Sequence, residues 1–574
     1  MTTRSRAAVL LALVFALVTS CANIPEESLP QPVREGNVSN PNAVPQPPKD
    51  ADPFTLVRNF VMASGDSDQA KGYLTEDARR RWPGDAGLLI VDDTFGTVPP
   101  STSDDTSPNE QTVVLRGRTF GRIGSDKAFI ANAGQIDEHV RVVRQQDGQW
   151  RITQPPSRYV LTKEEFDSRY TRTDLYFFET SLGVLVPDPR YVPTQPRNGL
   201  PARAIDALLS GPSDALRYSL PRPFLPETRA NVGYNTNGTL VVNLTKLGEP
   251  NADQRNLIAA QIVLSLKDVA ATKIRIEADG EPLIADHPDW RVTDVPSYSH
   301  VATPRADLPG LLVSTDGRVR SLRDGQPVPG PAGSGEYNVQ NAAQSIDGVQ
   351  LAVVEQTATG ARLRVGRFGE QLREVPVAAA TLTRPTWQAS NAPNGSGELW
   401  TVADGNTILR VVRTSQNSWV QTPIDASELF QYGPITELRL SRDGARLAAI
   451  AGGKLVVGTV VRTPNSVSVA SPRLLQQGML SDDVVGVDWL DQTRLVAVTS
   501  QGGLPVVNVS VDGMQMDRYS SSNLTAPVRG VTAAPSRQVV VIDSEGMWTA
   551  SDVGQVWRPH PQKWGAGAKV FYPG

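Results

Sequence analysis

The spacing of apolar positions changes period several times along this chain, and each change marks a new class of element. After Asp52-Pro53, the residues Phe54, Val57 and Val61 recur at helical spacing with Leu56 and Phe60 beside them, so one helix face is apolar. An acid followed by proline suits the start of such a helix, since the acid can cap and proline lacks only a donor that would be unpaired there. A second, more polar helical stretch runs over residues 70–82. The period then falls to two: 112–120, 127–130 and 138–144 read as strands, and Gln146-Asp147-Gly148-Gln149 as a hairpin turn into Trp150-Arg151-Ile152. Two helices followed by a meander predict an α+β domain over residues 51–165.

That order is similar to the nuclear-transport-factor-2-like cone, a fold that often holds a pocket. From about residue 172 a different pattern follows. Leu175-Tyr176-Phe177-Phe178 reads as a buried strand, residues 204–209 as a short helix stopped by Gly211-Pro212, and Gly238 as the turn into the strand Leu240-Val241-Val242-Asn243-Leu244. A helix with Ile258, Ile262 and Leu266 on one face leads to a strand over 273–277. This order, and the segment Leu208-Leu209-Ser210-Gly211-Pro212 in particular, resembles the GerMN domain, a small α+β module. The resemblance covers residues 172–296 and implies interaction rather than catalysis.

Beyond residue 302, short apolar runs alternate with turns. Ser345-Ile346-Asp347-Gly348 leads into Leu351-Ala352-Val353-Val354, and Ser441-Arg442-Asp443-Gly444 leads into Leu447-Ala448-Ala449-Ile450. Weaker relatives lie at 488–498 and 534–542, and Pro385-Thr386-Trp387 is a degenerate copy. Successive copies start about 45–50 residues apart, the period of a four-stranded propeller blade. Residues 302–574 are therefore predicted to form an all-β propeller of about six blades, with a β-sandwich as the alternative. Trp387, Trp400, Trp419, Trp489, Trp548, Trp557 and Trp564 all lie here; they can anchor a partner or, more simply, pack the blades.

The N-terminus follows another logic. Arg4 and Arg6 precede an apolar core at 7–18, and Val18-Thr19-Ser20-Cys21 closes it. As a helix that core spans about 18 Å, against a hydrocarbon thickness of about 30 Å, so it does not hold the protein in a membrane by itself. The four residues resemble a bacterial lipobox, which implies a signal peptide at 1–20 and lipidation of Cys21; an ordinary signal with a chance cysteine is the alternative. Cys21 is the only cysteine of 574 residues, so no disulfide can form within the chain. Two acyl chains hold a soluble body on a bilayer, whereas one does so only marginally. The following segment, part of a stretch at 21–50, carries Pro25, Pro30, Pro32, Pro41, Pro45, Pro47 and Pro48 among polar residues and reads as a disordered tether.

Composition narrows the function. A formal charge of −4 lacks the basic footprint of nucleic-acid binding. His139, His287, His300 and His560 are the four histidines, scattered without ligand spacing, and neither a metal nor a cofactor is expected. His139, standing alone, reads as a strand surface residue. The turns at Asp316, Asp347, Asp443 and Asp512 lack the alternating acids of a calcium loop. No serine-hydrolase elbow, zinc-helix or phosphate-loop motif occurs, so the chain is not expected to be an enzyme.

Lipobox, proline-rich tether, α+β domain, GerMN-like domain and propeller, in that order, resemble the LpqB family of actinobacterial lipoproteins along essentially the whole chain. The resemblance implies a lipid-anchored protein on the extracytoplasmic side of the cell membrane. It also implies a partner, the extracytoplasmic part of the sensor kinase MtrB, and a role modulating MtrB and the response regulator MtrA in cell-envelope homeostasis and division. Capture of a small molecule, glycan or peptide is the alternative, and an envelope hydrolase with paired carboxylates a third reading.

Overall fold

The computed structural model describes residues 47–574 apart from 66, 83–86, 102–106, 271–272, 296–302, 391–393, 477–478 and 481. The signal at 1–20, Cys21 and the tether as far as residue 46 lie outside the described residues, as does His300.

Helix Pro53–Ala63 starts on its cap: the Asp52 carboxylate accepts from the N–H groups of Phe54 and Thr55 at 2.9 and 3.1 Å. The helical stretch expected at 70–82 is instead two short helices, Ser67–Lys71 and Glu76–Arg81. The break follows from competing partners, since the Thr75 N–H donates to the Ile152 carbonyl of a strand and the Thr75 hydroxyl caps the second helix through Ala78. Strand Glu110–Ile123 pairs antiparallel with Phe129–Arg144 almost end to end. The separate strands expected at 127–130 and 138–144 are thus one. The polar residues Asn132, Gly134 and Gln135 between them are exposed, and the backbone keeps its partners by absorbing one register shift between Thr119 and Gly121. Leu88–Val91 joins this sheet and pairs in parallel with Tyr159–Thr162. Helix Pro53–Ala63 buries Leu56, Val57 and Phe60 with Leu115, Val140 and Ile152 of the sheet.

In the second domain, strands Leu240–Thr245 and Ile274–Ala278 run parallel, which requires a crossover; helix Ala252–Leu266 supplies it. Asn251 and Gln254 form a reciprocal capping box at its start. Helix Leu200–Leu209 ends at Ser210, and Gly211 follows at φ +91°, a conformation that favours glycine. The hairpin of Tyr170–Glu179 and Val184–Pro193 pairs with neither large sheet. Its first strand lies on the crossover helix, where Ser265 Oγ accepts from the Tyr176 N–H at 2.9 Å.

The C-terminal region is a ring of six sheets among the described residues. Five are four-stranded meanders, and the sixth joins Val319–Ser321 and Leu311–Val313 to Lys569–Phe571 from the far end of the chain. Sharing one sheet between the two ends of the region closes the ring. The Ser-x-Asp-Gly turns have a common construction. Ser441 Oγ donates to Asp443 at 2.5 Å and accepts from the Arg446 N–H, while the same carboxylate accepts from the Ala445 N–H. Ser345 and Asp347, and Ser510 and Asp512, repeat this arrangement. Turn chemistry thus accounts for these acids. Trp387, Trp400, Trp419, Trp489 and Trp557 are buried between strands, so they pack the blades.

Gly444 closes one such turn at φ +71°, and a Cβ there would lie 2.0 Å from Gln388 Nε2 and 2.7 Å from Leu182 Cδ1. Gly444→Ala is expected to cost about 1–3 kcal/mol, read as a lowered urea midpoint.

Candidate functional site

The strand Val184–Pro193 is apolar at both ends but carries Asp188 and Arg190 in the middle, and it is buried along nearly its whole length. Charges buried this deeply need partners. Arg190, with a fully buried side chain, donates to Asp188 at 2.6 Å, to the Gly211 carbonyl at 3.1 Å and to the Asp126 carbonyl of the N-terminal domain. Asp188 also accepts from the N–H and hydroxyl of Ser213 at 2.7 and 2.9 Å. The Ser-Gly-Pro end of the helix is therefore one wall of a buried ion-pair site. Burial opposes the charged form of Asp188, but Arg190, Arg446 and the Ser213 N–H outweigh it and hold the carboxyl below its ordinary range.

The same hairpin, together with the segment after Ser213, fixes the propeller. Arg446 donates to the Pro187 carbonyl at 2.8 Å, Gln492 to the Leu185 carbonyl at 3.2 Å and Thr459 to the Ala215 carbonyl at 2.7 Å. Tyr191 donates to Asp512 at 2.8 Å; burial first, then the Asp512 charge, pushes this phenol well above its usual pKa. Ile346, Ala389 and Ala445 of the propeller join the apolar core of the GerMN-like domain. Arg446 and Gln492 stand at turns between the first and second strands of their blades, as do Ile346 and Ala445. The docked side is thus the face that carries these turns. On the opposite face, the connections from second to third strand expose Ala358, Asn406 and Ser544.

Two hollows flank the junction. One, of about 510 Å³, is lined by Ser181 and Leu182 of the hairpin and by Gln388, Glu398, Arg410 and Arg462 of the propeller. Glu398 is the only carboxylate among its lining residues. It accepts from Trp400 Nε1 at 2.8 Å, Arg410 at 2.7 Å and Arg462 at 2.9 Å. Burial works against its charge, but the two arginines overcome this and keep its pKa low, so the carboxylate holds structure together and is poorly placed as an acid or base. The other hollow, about 700 Å³, separates Phe120 and Phe166 of the N-terminal region and Tyr170 of the hairpin from Met479, Met514 and Met516 of the propeller. The N-terminal domain also has a hollow of about 250 Å³ beside Ser64, Tyr159 and Tyr170.

Of the histidines, His139 is an exposed strand residue 3.9 Å from Asp137, and His287 lies 3.5 Å from Asp294 against the edge of Trp290. His560 Nδ1 accepts from the Gln562 N–H at 3.1 Å, and burial lowers its pKa. Cys21 lies outside the described residues. The sequence does not single out Asp188, Arg190, Tyr191 or Arg446, and it offers Asp512 only as a turn residue; the one signal is a charged Pro187-Asp188-Pro189-Arg190 core inside an otherwise apolar run.

Three family models match the chain: Lipoprotein LpqB, N-terminal domain, over residues 46–167; Sporulation and spore germination, over 174–284; and Lipoprotein LpqB beta-propeller domain, over 314–573. The Lipoprotein LpqB of Rhodococcus opacus (strain B4) is 31% identical over 100% of this chain and 99% of its own length. That of Mycolicibacterium smegmatis is 31% identical over 94% of each chain, and that of Mycobacterium tuberculosis (strain CDC 1551 / Oshkosh) is 29% identical over 97% and 98%. None of these descriptions names an enzyme. With every described domain matched in order and a relative aligned from end to end, the chain belongs to the LpqB family of lipoproteins.

Proposed function

We propose that this protein, lipidated at Cys21, stands on the extracytoplasmic side of the cell membrane. There it binds the extracytoplasmic part of an MtrB-type sensor kinase and modulates signalling to an MtrA-type regulator. The observation that carries this reading is the one-sided docking of hairpin 170–193. Buried and partly buried hydrogen bonds commit one propeller face to the rest of the molecule, which leaves the face bearing Ala358, Asn406 and Ser544 as a platform for a partner. A binding protein shifts a kinase only through different affinities for its two states. Reconstituting the kinase in liposomes with and without the full chain is expected to change autophosphorylation; unchanged binding and activity would sink the proposal.

Anchoring has its own test. Cys21→Ala is expected to leave the domains folded but move the protein from the membrane fraction to the soluble one, read by fractionation and intact mass. A mutant retained by membranes with the same lipid mass would contradict it. The 700 Å³ cleft with its three methionines supports a second reading, capture of an apolar segment or small ligand.

A further inference from the structure

The first strands of the blades surround the propeller axis, and their charges do not balance. Arg384, just before strand Thr386–Trp387, reaches across the ring: its guanidinium lies over the Phe571 ring, and its nearest carboxylate oxygen is Asp488 Oδ2 at 3.6 Å, beyond hydrogen-bonding range. That oxygen already accepts from the Thr532 hydroxyl at 2.8 Å and the Ala533 N–H at 3.2 Å. Arg439 engages the other nearby carboxylate, Glu437, and also donates to the Arg384 and Leu438 carbonyls. Among the described residues, Arg442 donates only to carbonyls, those of Pro573 and Ala533, and Lys569 only to Asn341. These four cations therefore face two side-chain carboxylates, Asp488 and Glu437, around the axis.

Among the described residues the Arg384 guanidinium makes no hydrogen bond, and its Nε is buried without a partner. Its side chain nevertheless keeps 12% of its surface open, so it is not sealed from solvent. Burial, and then the neighbouring Arg439 charge, lowers the Arg384 pKa to about 10, which means that Asp488 and Glu437 do not offset the cost. The face of the ring that carries Arg442 is the docked one, because Arg442 belongs to the Ser441–Gly444 turn beside Arg446.

We propose that the Arg384 guanidinium, near the axis of the propeller, binds a small carboxylate anion. A guanidinium fork matches a carboxylate in two parallel hydrogen bonds, and this fork is the one nearby that no protein oxygen fills. The site is independent of the kinase reading.

Full-length protein in detergent micelles, titrated with ¹³C-formate at constant ionic strength, tests this. The expected result is saturable line broadening of formate, together with a saturable rise in thermal midpoint that gluconate, too bulky to reach a side chain only 12% open, does not reproduce. Arg384→Gln is expected to weaken formate binding about tenfold or more. Arg384→Lys, which keeps the charge but loses the fork, is expected to weaken it as well and serves if the first variant does not fold. Equal responses to formate and gluconate, or unchanged formate binding in a folded Arg384 variant, would overturn the site. A saturable response to chloride without one to formate would overturn its assignment to carboxylates.

Discussion

Replacing Asp188 by alanine is expected to destabilise the folded protein by about 3–5 kcal/mol, the usual cost of removing one partner from a buried ion pair. The change leaves Arg190 fully buried with only carbonyl partners, removes the acceptor of the Ser213 N–H and hydroxyl, and leaves Arg446 without its attraction to this carboxylate. The loss falls where three domains meet, so urea unfolding of the full chain is expected to lose its contacts between hairpin and propeller first, visible as early hydrogen exchange at Leu185, Val186 and Arg446. Removing charge from both partners together, as in Asp188→Asn with Arg190→Met, is expected to cost less than either change alone. The pH dependence has a definite sign. The folded-state pKa of Asp188 lies below its unfolded value of about 3.9, so its contribution is fully present above that pH and is lost as pH falls through the folded value. Glu398 acts in the same direction. The wild-type midpoint should therefore fall steeply below about pH 4, and less so in Asp188→Asn.

Trp400→Ala is expected to cost about 3–5 kcal/mol for a different reason. Trp400 is fully buried and packs with Val402, Ile408 and Leu438 between two blades. Truncation opens a cavity that neighbouring strands cannot close without losing their register. It also removes the Nε1 donor from Glu398, whose charge is then shared by Arg410 and Arg462 alone. Trp400→Phe separates these effects: it keeps most of the packing and loses the donor, so about 1–3 kcal/mol is expected. Thermal unfolding followed by circular dichroism measures both. A loss below about 1 kcal/mol for Trp400→Ala would show that this tryptophan does not hold the blades together.

How far the sequence reads depends on how local the cause is. The Asp52-Pro53 helix start, the Ser-x-Asp-Gly turns and the Ser-Gly-Pro helix stop are decided within a few residues, and each is legible in the chain. The break at Thr75 is not, because its partner is the carbonyl of Ile152 in another element. Continuity of the strand through Asn132–Gln135 depends on the paired strand opposite, which polar composition alone does not announce. The docking surface was least legible of all. Arg446 follows a turn that reads as ordinary blade chemistry, and nothing near it in sequence points to Pro187, its partner. The charged centre of Val184–Pro193 contradicts the period of a buried strand, and such contradictions mark places where tertiary partners decide the outcome.

On the proposed function, the propeller face opposite the hairpin contacts the sensor kinase. A photo-crosslinking amino acid placed in turn at Ala358, Asn406 and Ser544 of the membrane-bound full chain, followed by mass spectrometry of the products, tests it directly. Crosslinks from these positions to the extracytoplasmic part of the kinase are expected. Crosslinks to the kinase only from exposed residues on the hairpin side, or none to the kinase from any position while the protein stays folded and anchored, would contradict it.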